Sequence, residues 1–193
     1  MKNVSFCLLA ASLLFASPLS AETKQKIHAE TDSEIGEDGS YKDSSDVSST
    51  DRAGTETKTK IREEGSVNSR GAVSSSYKAT TSHDPEGMRN KTWSKTERSS
   101  TKKPDGGLRA ESTARDVDQH GTAHKATKNV KRDVESDGTV ETTVTEMEVT
   151  DPKGLMNKSS TERKKVTERL PDGTATHKST VKNNGETVED PSH

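Results

Sequence analysis

The chain has 193 residues, of which 32% are charged and only 24% hydrophobic, with a formal net charge of −2 at pH 7. Its one cysteine, Cys7, and both phenylalanines lie in the first 21 residues, which leaves Tyr41, Tyr77 and Trp93 as the aromatics of the remainder. Leu, Ile, Val and Phe there are scarcer than the ~20% below which disorder competes with folding; this excludes a conventional two-layer core, and the interspersed charges offer no basic stripe, so no nucleic-acid partner is expected.

The N-terminus reads as an export signal over residues 1–21. Lys2 supplies a positive start, Val4 to Ala16 an apolar run, and Pro18-Leu19-Ser20-Ala21 a small-residue end. This is the three-part secretory pattern, with cleavage expected after Ala21 or, failing that, Ala16. The apolar run is shorter than the ~20 residues of a membrane span. Cys7 follows Phe6 rather than a small residue, so no lipid anchor is expected. The protein is therefore expected to be exported, periplasmic or secreted, with no membrane span after signal removal. Residues 22–36 form an N-terminal polar segment.

From residue 37 the chain carries a ruler of glycines. Gly39, Gly54, Gly71, Gly87 and Gly106 are separated by 15, 17, 16 and 19 residues, and the same gaps recur through Gly121, Gly138, Gly154 and Gly173. Residues 37–103 therefore repeat as 104–170 at an offset of 67, with a partial copy over 171–193. Sixteen positions are identical between the two full copies. They include Asp38-Gly39 with Asp105-Gly106, Gly54-Thr55 with Gly121-Thr122, and Asp84-Pro85 with Asp151-Pro152. A regular turn period is the mark of a repeat architecture.

The retained positions are turn chemistry. In Asp84-Pro85-Glu86-Gly87, Asp can bond its own backbone, Pro pre-sets φ, and Gly accepts a left-handed conformation. Pro104-Asp105-Gly106, Ser136-Asp137-Gly138 and Pro171-Asp172-Gly173 fit a three-residue hairpin loop with a bulge. The expected fold is all-β: an extended up-and-down meander of β-hairpin repeats in a thin, largely polar sheet, with room left for partial disorder. Val73 with Tyr77, and Val140 with Val144, share one strand face at a spacing of four. Tyr41, Leu108 and Ala175 are equivalent, as are Met88 and Leu155. The remaining positions are Thr, Ser, Lys, Glu and Arg, which favours ladder bonds and cross-strand pairs over a dry core.

A short helix is the competing expectation for residues 88–103 and 155–170. Ser159-Ser160-Thr161-Glu162 resembles a capping box, and Val166 and Leu170 are four apart. An open meander leaves two edge strands that invite pairing; residues around 24–36 and 186–190 would supply them, so edge-strand self-association is expected.

Site chemistry is sparse. Asp116, Asp118, His120 and His124 are the weak metal candidates, since two histidines four apart with nearby carboxylates resemble a ligand set. Asp116-Val117-Asp118-Gln119-His120-Gly121 starts like a calcium loop, but its twelfth position is Thr127 rather than Glu. The nonapeptide calcium repeat does not fit the longer spacing. No nucleophile elbow, phosphate-cradling loop or zinc-protease motif occurs, so no catalytic residues and no cofactor are expected. Asn90 and Asn157 head repeat-equivalent glycosylation patterns. Trp93 is either a packed group or an exposed contact point. A transmembrane barrel would need alternating apolar residues and aromatic girdles, which the chain lacks.

The turns at Asp51, Asp84, Asp118 and Asp151, with their glycines, resemble those of bacterial hairpin-repeat proteins of the YD type, although the tyrosine of that motif is absent. The Lys/Glu/Thr-rich strands are similar to single-layer sheets of bacterial surface proteins. Both likenesses are architectural and imply no activity. The functional expectation is an exported, non-enzymatic protein with a structural or binding role towards an unknown protein or surface partner. A largely disordered hydrophilic periplasmic chain and a weak calcium-binding module are the alternatives.

Overall fold

The computed structural model describes residues 26–85, 91–153 and 158–188. The export signal at 1–21, Gly87 and Gly154, Met88 and Leu155, and Asn90 and Asn157 lie outside the described residues. The described residues form eleven strands in one sheet, ordered β1 to β11 without a crossover. They are β1 (Lys26–Ile35), β2 (Tyr41–Thr50), β3 (Glu56–Val67), β4 (Val73–Asp84), β5 (Thr92–Lys102), β6 (Leu108–Val117), β7 (Ala123–Val134), β8 (Val140–Asp151), β9 (Ser159–Arg169), β10 (Ala175–Asn183) and β11 (Glu186–Val188). Every neighbouring pair is antiparallel. The meander expected from the turn spacing is therefore the fold, and both expected edges are strands, β1 and the very short β11.

The helix alternative does not hold. Residues 92–102 and 159–169 are β5 and β9. Each is paired on both sides, β9 with β8 and β10. Ladder bonds to two neighbours outweigh the weak local helix preference of a Ser/Thr-rich segment.

Seven described hairpins share one closure. In the loop between β6 and β7, the Asp118 amide donates to the Thr122 carbonyl at 3.0 Å, and the Gly121 amide donates to the Asp118 carbonyl at 3.0 Å. The same pair of bonds closes the loops at 36–40, 51–55, 68–72, 103–107, 135–139 and 170–174. This is the three-residue loop with a left-handed glycine; Gly121 has φ 82°. The last hairpin is different. Asn184 and Gly185 both have positive φ, 50° and 88°, which is a two-residue turn of the Asn-Gly kind.

The repeat runs through the sheet with a drift. Val73 lies opposite Lys102, then Leu108, Arg132 and Thr142 in successive strands. Thr142 is two residues from Val140, the repeat equivalent of Val73. A drift of two keeps each position on its own face, because strand faces alternate with period two. The turns repeat their contacts as well: Pro104 approaches Gly71, and its equivalent Pro171 approaches Gly138, with a Cβ on either glycine lying 3.6 Å from the proline ring.

The sheet has no hydrophobic core among the described residues, and the buried polar residue there is Thr139, 6% exposed. The two faces nevertheless differ. One carries the row Ile61, Ala79, Thr96, Ala114, Ala126 and the row Gly65, Ser75, Ser100, Ala110, Val130, Val144. The other carries most of the Lys and Glu positions of β3 and β5, with Asp46 accepting from Lys60 at 3.2 Å and Arg62 at 3.1 Å.

Candidate functional site

The metal candidates divide into two groups. Asp116 on β6 stands opposite His124 on β7, but the His124 ring pairs with Thr150 Oγ1 across the next strand at 3.3 Å. Asp118 and His120 belong to the loop. The Asp118 carboxylate accepts the His120 amide at 2.8 Å and the Thr122 amide at 2.9 Å. The Thr122 amide leads in holding its carboxyl below the ordinary value; desolvation opposes it, and the His120 amide adds to the lowering. No group of three or more metal-ligating side chains forms among the described residues. The Asp-Gly turns bind their own backbone: Asp105, Asp137 and Asp172 each accept the amide two residues on, at 2.8 Å.

A histidine motif joins the copies in a way the sequence pattern alone hides. Thr57 Oγ1 meets His83 Nδ1 at 3.0 Å across β3 and β4. At the equivalent place in the second copy the residues are exchanged, with His124 on β7 and Thr150 on β8. The cross-strand pair is kept while its members have traded strands, so these histidines serve the ladder.

On the charged face the register assembles a row that no stretch of sequence contains. Lys60, Thr80, Lys95, Arg115 and Lys125 are successive partners on β3 to β7. At about 4.8 Å per strand the row spans roughly 19 Å. Lys95 is paired with Glu97 at 2.7 Å, and that contact is the leading cause of the lowered Glu97 pKa, with Lys78 and Arg115 adding to it. Among the described residues, Arg115 and Lys125 have no ion-pair partner. Like charges set directly opposite destabilise a sheet, so this row is tolerated at a cost.

Trp93 lies two residues from Lys95, on the same face. It is 37% exposed and continues into a small apolar shelf, Val117 and then Ala123. Of the two expectations for Trp93, the exposed one describes the ring, which the register sets opposite Val117. On the opposite face Tyr77 and Arg98 are cross-strand partners, with the guanidinium 5.8 Å from the ring centroid. They line a shallow, open depression with Ala110 and Val130.

Asn184 also escaped the reading of the sequence. Its side-chain oxygen accepts the Ser160 amide at 2.8 Å, and its own amide donates to the Ser160 carbonyl at 2.8 Å. The Asn-Gly dipeptide was the available signal. No helix of the described residues is long and apolar enough to cross a membrane. No protein-family model matches the chain, and no curated protein or solved structure is significantly similar to it.

Proposed function

We propose that the chain is an exported, non-enzymatic β-repeat protein that acts as a structural or binding element of the cell envelope or the extracellular space. The observation that carries this reading is the single-layer sheet itself: eleven strands with no buried hydrophobic residue among those described. Catalytic and small-ligand sites are concave and mostly apolar, whereas this sheet offers broad, chemically distinct faces. Its hairpins are closed by local turn bonds, so the surface can be extended without a core to fill.

The binding face in this reading is the one bearing Trp93, Lys95, Arg115 and Lys125. Cations in a straight row, of which Arg115 and Lys125 have no ion-pair partner among the described residues, beside an exposed indole, suit an anionic polymer. Cations neutralise the chain, and the flat ring packs on its apolar parts. The test is retention on immobilised dextran sulfate. The wild-type protein is expected to bind in low salt and elute as salt rises. Lys95→Ala with Arg115→Ala and Lys125→Ala should weaken binding roughly tenfold or more, at about 0.5–1 kcal/mol per lost surface contact. Equal retention of both proteins contradicts the assignment. Export is tested separately by fractionating cells that carry the chain with and without residues 1–21.

A further inference from the structure

We propose that the two edges of the sheet are complementary, so that β1 of one copy adds to β10 of the next and copies join head to tail into a continuous ribbon. This rests on the reading of the chain as an extended sheet scaffold. The partner is a second copy of this chain.

Both edges are open. β1 has β2 as its strand neighbour, and among the described residues nothing pairs with its other side over Lys26–Ile35. On β10, β11 covers Val181, Lys182 and Asn183 alone. Residues 175–180 have no second strand partner among those described. Unpaired backbone along a strand is a template for another strand.

The charges on the edges are opposite and have the same spacing. Glu30, Asp32 and Glu34 alternate on one face of β1. β10 carries Lys178 and Lys182 and no acidic residue. Set antiparallel with Glu34 opposite Lys178, the two strands place Glu30 opposite Lys182 and Asp32 opposite Thr180. That register also keeps the charged face of one copy continuous with the charged face of the next. Opposite charges across a pair stabilise it, and like charges destabilise it. A β1–β1 pairing centred on Asp32 would set Glu30 against Glu34 twice, and a β10–β10 pairing would set lysine against lysine. The pattern therefore selects the head-to-tail joint. A heterologous joint of this kind that does not close into a ring gives an open filament.

β11 acts as a cap on this edge. It runs in the same direction as β1, so a β1 strand added beyond it would break the antiparallel alternation. Added to β10 instead, β1 continues the alternation and displaces β11. The cap has three residues and its turn needs left-handed backbone at both Asn184 and Gly185. Short edge strands are one way in which sheets are kept from joining, and this one is held weakly enough to be exchanged.

The experiment is sedimentation velocity of the purified protein over a range of concentrations, with far-UV circular dichroism on the same samples. Gly185→Val, which opposes the left-handed turn and frees β11, is expected to move the protein from monomer towards a concentration-dependent series of larger species. Adding Glu30→Lys and Glu34→Lys to that variant should return it to monomer, as should adding Lys178→Glu and Lys182→Glu. An equimolar mixture of these two charge variants should assemble again, because each supplies the edge that complements the other. Monomer throughout, or assembly that ignores the charge changes, overturns the proposal. If the strand spectrum persists in such a monomer, the scaffold reading stands and the head-to-tail joint alone is wrong; a coil spectrum removes both.

Discussion

Tyr41 covers Gly65. The two are cross-strand partners on β2 and β3, and a Cβ built on Gly65 would overlap the Tyr41 ring. Tyr41 Oη donates to Glu63 Oε1 at 3.1 Å. Burial first, and that bond second, raise the tyrosine pKa. An aromatic ring laid over a strand glycine shields backbone that would otherwise face water. Among the described residues, which include no buried hydrophobic side chain, Tyr41 is half-buried. Gly65→Ala is therefore expected to destabilise by about 1–3 kcal/mol through overpacking. Combined with Tyr41→Ala, the same change should cost much less, because the ring it strikes is gone. Urea melts of the two single variants and the double variant measure this coupling.

The turn carboxylates predict a response to acid. Asp38, Asp118, Asp137 and Asp172 all have lowered pKa values. The hydroxyl and amide of Ser40 lead at Asp38, and backbone amides lead at the other three, from Thr122, Thr139 and Thr174. A carboxyl whose pKa is lower in the folded state contributes stability above its unfolded value, about 3.9 for Asp. That contribution is lost as pH falls through the lowered folded values. The thermal midpoint should therefore be flat from neutral pH to about pH 4 and drop below it. Asp118→Ala should lower the midpoint at neutral pH more than Asp137→Ala. The Asp118 carboxylate accepts two amides, whereas Asp137 accepts that of Thr139.

The exchanged histidine pairs supply a test of the ladder. Thr57 and His83 occupy the places that His124 and Thr150 occupy in the second copy. Exchanging the first pair, Thr57→His with His83→Thr, recreates the arrangement of the second. The exchanged protein should match the wild type within ~0.5 kcal/mol, while Thr57→Ala and His83→Ala alone should each be less stable. Thermal melts of the three variants compare them directly.

The cationic row sets stability against binding. Arg115 stands between Lys95 and Lys125. Replacing it with threonine removes two like-charge neighbours and introduces a good strand residue. Arg115→Thr should therefore raise stability by roughly 0.2–1 kcal/mol, and at the same time weaken retention on dextran sulfate. A melt and a binding isotherm on the same variant read both quantities.

The turns were the most legible part of the sequence, because each closure is local. Asp118 and Gly121, or Asp105 and Gly106, hold all the chemistry that a three-residue loop requires. The strands followed as whatever lay between. The lateral register was not legible: the drift that sets Val73's row on Thr142 rather than Val140 arises from pairing between distant strands. The cationic row was hidden for the same reason, since Lys60, Lys95, Arg115 and Lys125 come from four separate strands. Local pattern also pointed to a helix near Ser159, where pairing with β8 and β10 decides for a strand. Gly185 could have been separated from the other turn glycines, because Asn184 precedes it and the spacing from Gly173 is 12 rather than the 15 seen at the start of each full copy.

The eleven strands form one in-register antiparallel sheet with no buried hydrophobic residue among those described. Nuclear Overhauser contacts in solution across Thr80, Lys95, Arg115 and Lys125 test it most directly. Cross-strand contacts are expected between each successive pair in that row, with slowly exchanging amides on β4 to β8. Sequential contacts alone, with coil chemical shifts, would contradict it.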